Sequence, residues 1–287
     1  MNEDAQAMMR REMRVTLGNA PTELDGEVLA PEDLYAITSD SFLLWTYCGL
    51  KIFYRKGEGV TLDRSSARTT ENERLYLNGT TYAGVASING LYPIHASAVS
   101  IDGRVHAFTG PSGAGKSTLT AGLGMHGLKL FCDDMLVLDL RDDRQIMCLP
   151  GHKQLKLLPD AIELAGAAAV GKVAEGMDKY YAEPAGGLET AMLPLAELCF
   201  LEVGEPARFE DVAPAERMVL LDDDHYTAVM YRYATGSSHH ERFRQLARLA
   251  NRVKISRFFR SKDAAKFHAE TALAAGHVRS FENGGSR

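Results

Sequence analysis

The chain has 287 residues, 45% of them hydrophobic and 24% charged, and a formal net charge of −6 at pH 7. That length can bury a sizeable core in one large domain or two, and the composition is that of a soluble globular protein. The negative balance gives no general attraction for nucleic acid or an anionic membrane surface, and no apolar run approaches the length of a membrane span, so neither is an expected partner. The N-terminus lacks the apolar core of a signal peptide, and Cys48, Cys132, Cys148 and Cys199 form no C-x-x-C pair. A cytoplasmic protein with reduced thiols is the expectation.

Residues 1–65 read as mostly β, through the β-branched or aromatic runs at 13–17, 35–38, 42–47, 50–54 and 60–62. Cys48-Gly49 and residues 56–59 read as turns. A helix is expected over 71–88, with Leu75, Tyr82, Val85 and Ala86 at helical spacing. A boundary near Leu91 separates a β-rich N-terminal region, residues 1–91, from a larger domain, residues 92–287.

Residues 94–101 carry small or apolar side chains on both faces, the pattern of an interior strand. Asp102-Gly103 reads as a two-residue hairpin turn, which pairs Ile101 with Arg104 and, counting outwards, brings His95 opposite Gly110. The strand at 105–109 then has an antiparallel neighbour directly before it, whereas neighbours in a doubly wound nucleotide-binding fold are parallel and joined through helices. It leads into Gly110-Pro111-Ser112-Gly113-Ala114-Gly115-Lys116-Ser117, an unbroken G-x-x-x-x-G-K-[ST]. A helix follows, with Leu119, Leu123 and Met125 on its apolar side. Strand, loop and helix in that order make a phosphate-binding loop, and ATP with Mg2+ is the expected cofactor pair. Contacts to the nucleotide are expected from Gly110, Ser112, Gly113, Ala114, Gly115, Lys116, Ser117 and Thr118, with Lys116 on the β and γ phosphates and the Ser117 hydroxyl on the metal.

Beyond the helix, strands are expected at 128–132, ending in Asp133-Asp134, and at 135–140; a turn at 141–145 returns the chain to a strand at 146–149. Residues 153–193 are the least regular part, with a short helix after Pro159 and a glycine-rich stretch at 171–187 that could carry a mobile substrate loop. A strand at 198–203, helices at 214–233 and 239–251, a strand at 253–258 and a helix at 262–275 complete the chain. The helix at 239–251 places Phe243, Leu246, Ala247 and Ala250 on one side.

Phosphoryl transfer needs metal ligands, a cationic clamp and a group that receives the acceptor's proton. Asp133 and Asp134 are candidates for two of these tasks, because adjacent residues at a strand end point to opposite sides and one carboxylate can face metal and phosphates while the other faces an incoming hydroxyl. Either assignment remains open. Asp139, ending the apolar run Leu136-Val137-Leu138, is a rival metal carboxylate. His95 has an ordinary reading as a core histidine and a functional one beside the loop mouth, where it would orient an Asp or contact a phosphate. Nine basic residues and one acidic one lie between Arg242 and Lys266, with Arg244, Arg248 and Arg252 stepping along one helix face; this is a solvated face or a surface for an acidic partner or a phosphorylated product.

The segment from His95 to Leu140 resembles the catalytic core of the HPr kinase/phosphorylase family, in the His before the loop, Gly110 to Ser117, His126-Gly127 after the helix, and Asp133-Asp134. The resemblance implies an α/β P-loop domain of the HPr kinase and phosphoenolpyruvate carboxykinase type with a mixed sheet, preceded by the β-rich region, and ATP-dependent transfer to a serine. By it, Lys116 and Ser117 hold phosphates and magnesium, the Asp pair includes the general base, and His95 assists. The chain departs from the family in lacking its Leu-Glu-Ile-Arg-Gly signature and in having Thr118-Leu119 where Glu-Thr is usual. Those departures point away from HPr as substrate and from the reverse phosphorolysis, towards HPr-kinase-like proteins found beside peptide or polysaccharide biosynthesis genes, including lasso-peptide precursor kinases. A kinase for a peptide or protein serine is thus expected, the alternatives being a small-molecule kinase of the same fold or an ATP-gated binding module. Homo-oligomer formation stays open.

Overall fold

The computed structural model of the protein describes residues 4–26, 34–142, 144–151, 154–174, 176–222 and 226–281. Outside the described residues lie the first three of the N-terminus, Asp143 in the expected turn at 141–145, Lys153 and Glu175 in the irregular region, and residues 223–225 in the expected helix at 214–233. The protein is mixed α/β with mixed sheets. It divides into two compact units, one formed by Met1–Ile94, Val137–Leu140 and Asp223–Gln245, the other by His95–Leu136, Arg141–Asp222 and Leu246–Arg287.

The first unit opens with a helix that the strand-rich reading of 1–65 did not contain, α1 (Ala5–Glu12), started by the Asp4 side chain accepting from the Gln6 N–H. Its last residue is buried, and Glu12 Oε2 accepts from the Tyr54 hydroxyl at 2.7 Å and the Gly57 N–H at 2.8 Å. Five strands follow, β1 (Val15–Leu17), β2 (Tyr35–Ile37), β3 (Ser41–Trp45), β4 (Lys51–Arg55) and β5 (Gly59–Asp63), in the order β1-β5-β4-β3-β2. The expected helix at 71–88 is three pieces, α2 (Glu73–Tyr76), a π turn at Leu77–Thr81 and α3 (Tyr82–Ile88). Gly84 lies under the Phe42 ring, where an added Cβ would stand 2.9 Å away, so α3 can lie flat on the sheet. The strand β6 (Tyr92–Ile94) ends the first stretch of this unit.

The second unit begins with β7 (Ala96–Ile101) and β8 (Arg104–Thr109), joined by Asp102 and Gly103 with φ of 48° and 71°, the pair of positive angles that a tight hairpin turn requires. The observed register pairs Ile101 with Arg104 and Ala96 with Thr109, as the turn residues foretold. Along the chain there follow α4 (Lys116–Met125), β9 (Lys129–Cys132), β10 (Leu136–Asp139), β11 (Met147–Leu149), β12 (Leu155–Leu157), α5 (Pro159–Leu164), β13 (Ala168–Lys172), β14 (Tyr180–Glu183), β15 (Leu193–Val203), β16 (Arg208–Asp211), α6 (Pro214–Leu221), α7 (Tyr226–Thr235), α8 (His239–Arg252), β17 (Lys254–Arg260) and α9 (Phe267–Ser280); of these, β10 from Val137, α7, and α8 as far as Gln245 belong to the first unit. Strands β8, β15 and β17 run parallel, while β7 is antiparallel to both β8 and β9, and β16 is antiparallel to β17. Of the glycine-rich stretch, residues 171–172 and 180–183 lie in the small sheet β12-β14-β13.

Two assignments of apolar faces and one helix start need correcting. Met125 and Phe243 are exposed rather than packed, because α4 buries Leu119 and Leu123 whereas α8 buries Leu246, Leu249 and Ala250. The last helix begins at Phe267 rather than 262, after a 3-10 turn at Ala264–Lys266 started by the Asp263 side chain.

Helices α4 and α9 share a core with the sheet, in which Val99, Phe108, Leu119, Leu123, Phe258 and Val278 are fully buried. The two helices approach at Gly122, where a Cβ would stand 2.7 Å from both the Phe267 ring and the Thr271 methyl. Gly122→Val is therefore expected to destabilise the protein by about 2 kcal/mol through overpacking, net of a small gain in helix propensity. A denaturant midpoint equal to that of the parent would contradict this close packing.

Candidate functional site

The loop after β8 is shaped by its glycines. Gly110 has φ of 144° and an added Cβ would stand 3.0 Å from the Leu201 carbonyl oxygen; Gly115, the N-cap of α4, has φ of 84° and an added Cβ would meet the Arg260 guanidinium at 3.3 Å. A side chain at either place would be strained and crowded. No capping side chain satisfies the first-turn N–H groups of α4, the arrangement that suits an anion at a helix start. Lys116 folds back over the loop, its ammonium donating to the carbonyls of Gly110 at 2.8 Å and Pro111 at 3.2 Å. Burial lowers the Lys116 pKa, with Asp133 and Asp134 acting in the opposite sense.

Asp133 is 1% exposed and surrounded by donors. Its Oδ1 accepts from the hydroxyls of Ser97 and, at 2.7 Å, Ser117, and its Oδ2 accepts from the Lys156 N–H at 2.8 Å. Burial pushes its pKa up against the Ser97 and Ser117 hydrogen bonds. Asp134 has φ of 76°, a left-handed conformation that Asp tolerates better than most residues. The turn of the backbone there gives the two carboxylates different partners. Asp134 Oδ2 lies 2.7 Å from the Lys156 ammonium and Oδ1 lies 3.5 Å from His95 Nδ1, with the Asp134 side chain 27% exposed. Burial opposes ionisation of Asp134, yet the Lys156 ammonium prevails and holds its pKa below the usual carboxylate range.

Lys116, Ser117, Asp133, Asp134 and His95 therefore lie in one cluster within the second unit. His95 sits at the entrance to β7, its carbonyl accepting from the Thr109 hydroxyl at 3.1 Å. Asp139, the rival carboxylate, belongs to the first unit. Four residues of the basic run are paired with carboxylates: Lys254 with Asp211, Arg257 with Glu202 and Glu216, Arg260 with Glu270, and Lys266 with Glu205.

Three contributors were not legible in the sequence: Ser97 and Lys156 on Asp133 and Asp134, and Arg260. The Arg260 guanidinium lies 3.5 Å from the Gly115 carbonyl and 3.6 Å from the Glu270 carboxylate, and burial lowers its pKa. It lines a cleft of about 500 Å³ together with Pro111 to Gly115, Thr118, Asp160 and the apolar Leu158, Leu164 and Val203. Among the described residues no three His, Cys, Asp or Glu side chains gather into a cluster able to hold a metal by themselves. Nor is any helix there long and apolar enough to cross a membrane.

No family model matches the chain, and no curated protein does. Among solved structures, the chain is similar to the Hpr(Ser) kinase/phosphatase from Coxiella burnetii, at 13% identity and a TM-score of 0.32, over 66% of this chain and 97% of that one. A likeness so loose leaves the function to be argued from the cluster itself.

Proposed function

We propose that the protein is an ATP- and Mg2+-dependent phosphotransferase that moves the γ-phosphoryl group to a serine hydroxyl of a peptide or protein. The observation that carries this reading is the 2.7 Å contact between Ser117 at the start of α4 and the buried Asp133, with Asp134 more exposed and facing His95. A glycine-shaped loop, a lysine, a hydroxyl and two carboxylates with different partners are the parts that phosphoryl transfer uses.

The donor set fits a hard cation that arrives with phosphate. Ser117 and Asp133 offer only oxygen, and one or two such ligands completed by substrate phosphates is the usual magnesium arrangement. When bound, the cation neutralises charge on the β and γ phosphates. Lys116 would exchange the Gly110 and Pro111 carbonyls for phosphate oxygens, and the cleft beside Arg260 would take the nucleoside, on walls supplied by Leu158, Leu164 and Val203. On the other side Asp134 Oδ1 would receive the acceptor's hydroxyl proton. As the new O–P bond forms, the bond from the γ-phosphorus to the bridging oxygen breaks and that oxygen leaves with ADP. His95 would help to orient Asp134. The missing Leu-Glu-Ile-Arg-Gly signature favours an acceptor other than HPr, such as a peptide precursor.

The test is incubation of the full chain with γ-labelled ATP, Mg2+ and serine-containing peptides. Label on a peptide serine supports the proposal. Label confined to low-mass metabolites would replace it with a small-molecule kinase, and ATP-dependent partner binding without any transfer would replace it with a gated binding module.

A further inference from the structure

We propose that Lys156 is a positioning residue of the transfer step, fixing Asp133 through its main-chain N–H and Asp134 through its ammonium. The inference rests on the phosphotransferase reading. Lys156 is the middle residue of β12, between the buried Leu155 and Leu157, and its own side chain is 9% exposed. Lysine is rarely buried, because removing an ammonium from water is costly unless it is paired. A leucine would fill the same space without that cost, and exchanging a buried ion pair for apolar groups is often neutral or stabilising. Packing therefore gives no reason for a lysine here.

The geometry does give one. The 2.8 Å bond from the Lys156 N–H ends on Asp133 Oδ2, and the 2.7 Å contact from its ammonium ends on Asp134 Oδ2. One residue thus sets the separation of the two carboxylates, and β12 is anchored by pairing Lys156 with Tyr181 of β14. Engaging Oδ2 leaves Asp134 Oδ1 as the oxygen aimed towards His95, 3.5 Å away, and so fixes which oxygen can receive the acceptor's proton. Misplacing a reacting group by about 1 Å can slow a reaction by about 100-fold, which is the scale of effect such a residue controls.

The experiment compares the full-length parent with K156Q, K156R, D134N and the double variant K156Q/D134N. All keep the main-chain N–H on Asp133. We expect K156Q to slow single-turnover transfer by about 100-fold with the nucleotide Kd within about threefold of the parent. K156R, which restores a cation, should recover to within about tenfold of the parent. The double variant should be no slower than D134N, since Lys156 acts through Asp134. A K156Q rate equal to the parent's, a parallel loss of nucleotide binding, or a double variant that loses the full K156Q factor beyond D134N would each overturn the proposal. If the parent binds nucleotide but transfers to neither peptide nor water, the phosphotransferase reading falls by itself. Crystal structures of the parent and K156Q then decide for Lys156: a displaced Asp134 carboxylate supports the positioning role, and an unmoved one ends it.

Discussion

Asp134→Asn is expected to reduce phosphoryl transfer by about 10³-fold while nucleotide binding stays within about threefold of the parent. The substitution is nearly isosteric, and Asn tolerates the left-handed backbone found at this position at least as well as Asp does, so the loop and strand end keep their shape. The Lys156 ammonium can still donate to the amide oxygen. What would be lost is the anionic oxygen proposed to receive the acceptor's proton. The nucleotide side of the cluster is untouched, because Ser117 and Ser97 donate to Asp133. Asp133→Asn should behave differently, weakening metal-dependent nucleotide binding together with turnover. Single-turnover transfer and a nucleotide titration on the same preparations separate the two. If Asp134→Asn lost binding and turnover equally, its carboxylate would be holding metal or structure, and the assignment of the open side to the acceptor would be wrong.

The parts of this site that were legible in the sequence share one property: they are local. The G-x-x-x-x-G-K-[ST] pattern carries its own geometry, since Gly110 and Gly115 need conformations that a side chain would strain. The Asp102-Gly103 turn fixed a register that could be counted outwards to His95. Lys156 had no such signal. It stands 22 residues after Asp134, in a three-residue strand between leucines, and its role appears only once β12 lies beside the end of β9. Ser97 shows the limit from another direction: a small residue on an interior strand is what packing alone would choose, so its hydrogen bond to Asp133 leaves no trace in the pattern. Arg260 was visible only as one charge in a basic run, and the carboxylates of β15, β16 and α6 that pair with its neighbours Lys254 and Arg257 come from earlier in the chain. At the N-terminus, α1 was hidden because its apolar stripe is only Ala5, Met8 and Met9, and the next position on that face is the charged Glu12, buried on Tyr54 and Gly57.

The largest effect on stability is expected away from the cluster, at Glu197. This carboxylate on β15 is fully buried, yet it accepts from the Ser256 hydroxyl at 2.6 Å and pairs with His277 Nε2 at 2.9 Å and His106 Nδ1 at 3.3 Å. It therefore ties β8, β17 and α9 to the strand at the centre of the sheet, with the Phe209 ring stacked on His277 at 3.7 Å. Burial works against ionisation, but the hydrogen bonds from His106 and His277 outweigh it and bring the Glu197 pKa down to about 2. Glu197→Ala leaves those donors buried without their acceptor and should cost about 3–5 kcal/mol at neutral pH, read as a lower denaturant midpoint. The same carboxylate makes the fold sensitive to acid. An unfolded Glu titrates near 4.5 and the folded one near 2, so the stabilisation is complete above the first value and is lost as pH falls through the second. Over that window the parent should lose about 3 kcal/mol that Glu197→Gln, which cannot ionise, does not lose. Comparing urea midpoints of the two proteins across the window isolates this carboxylate from the others, and identical acid slopes would show that Glu197 is not held ionised in the core.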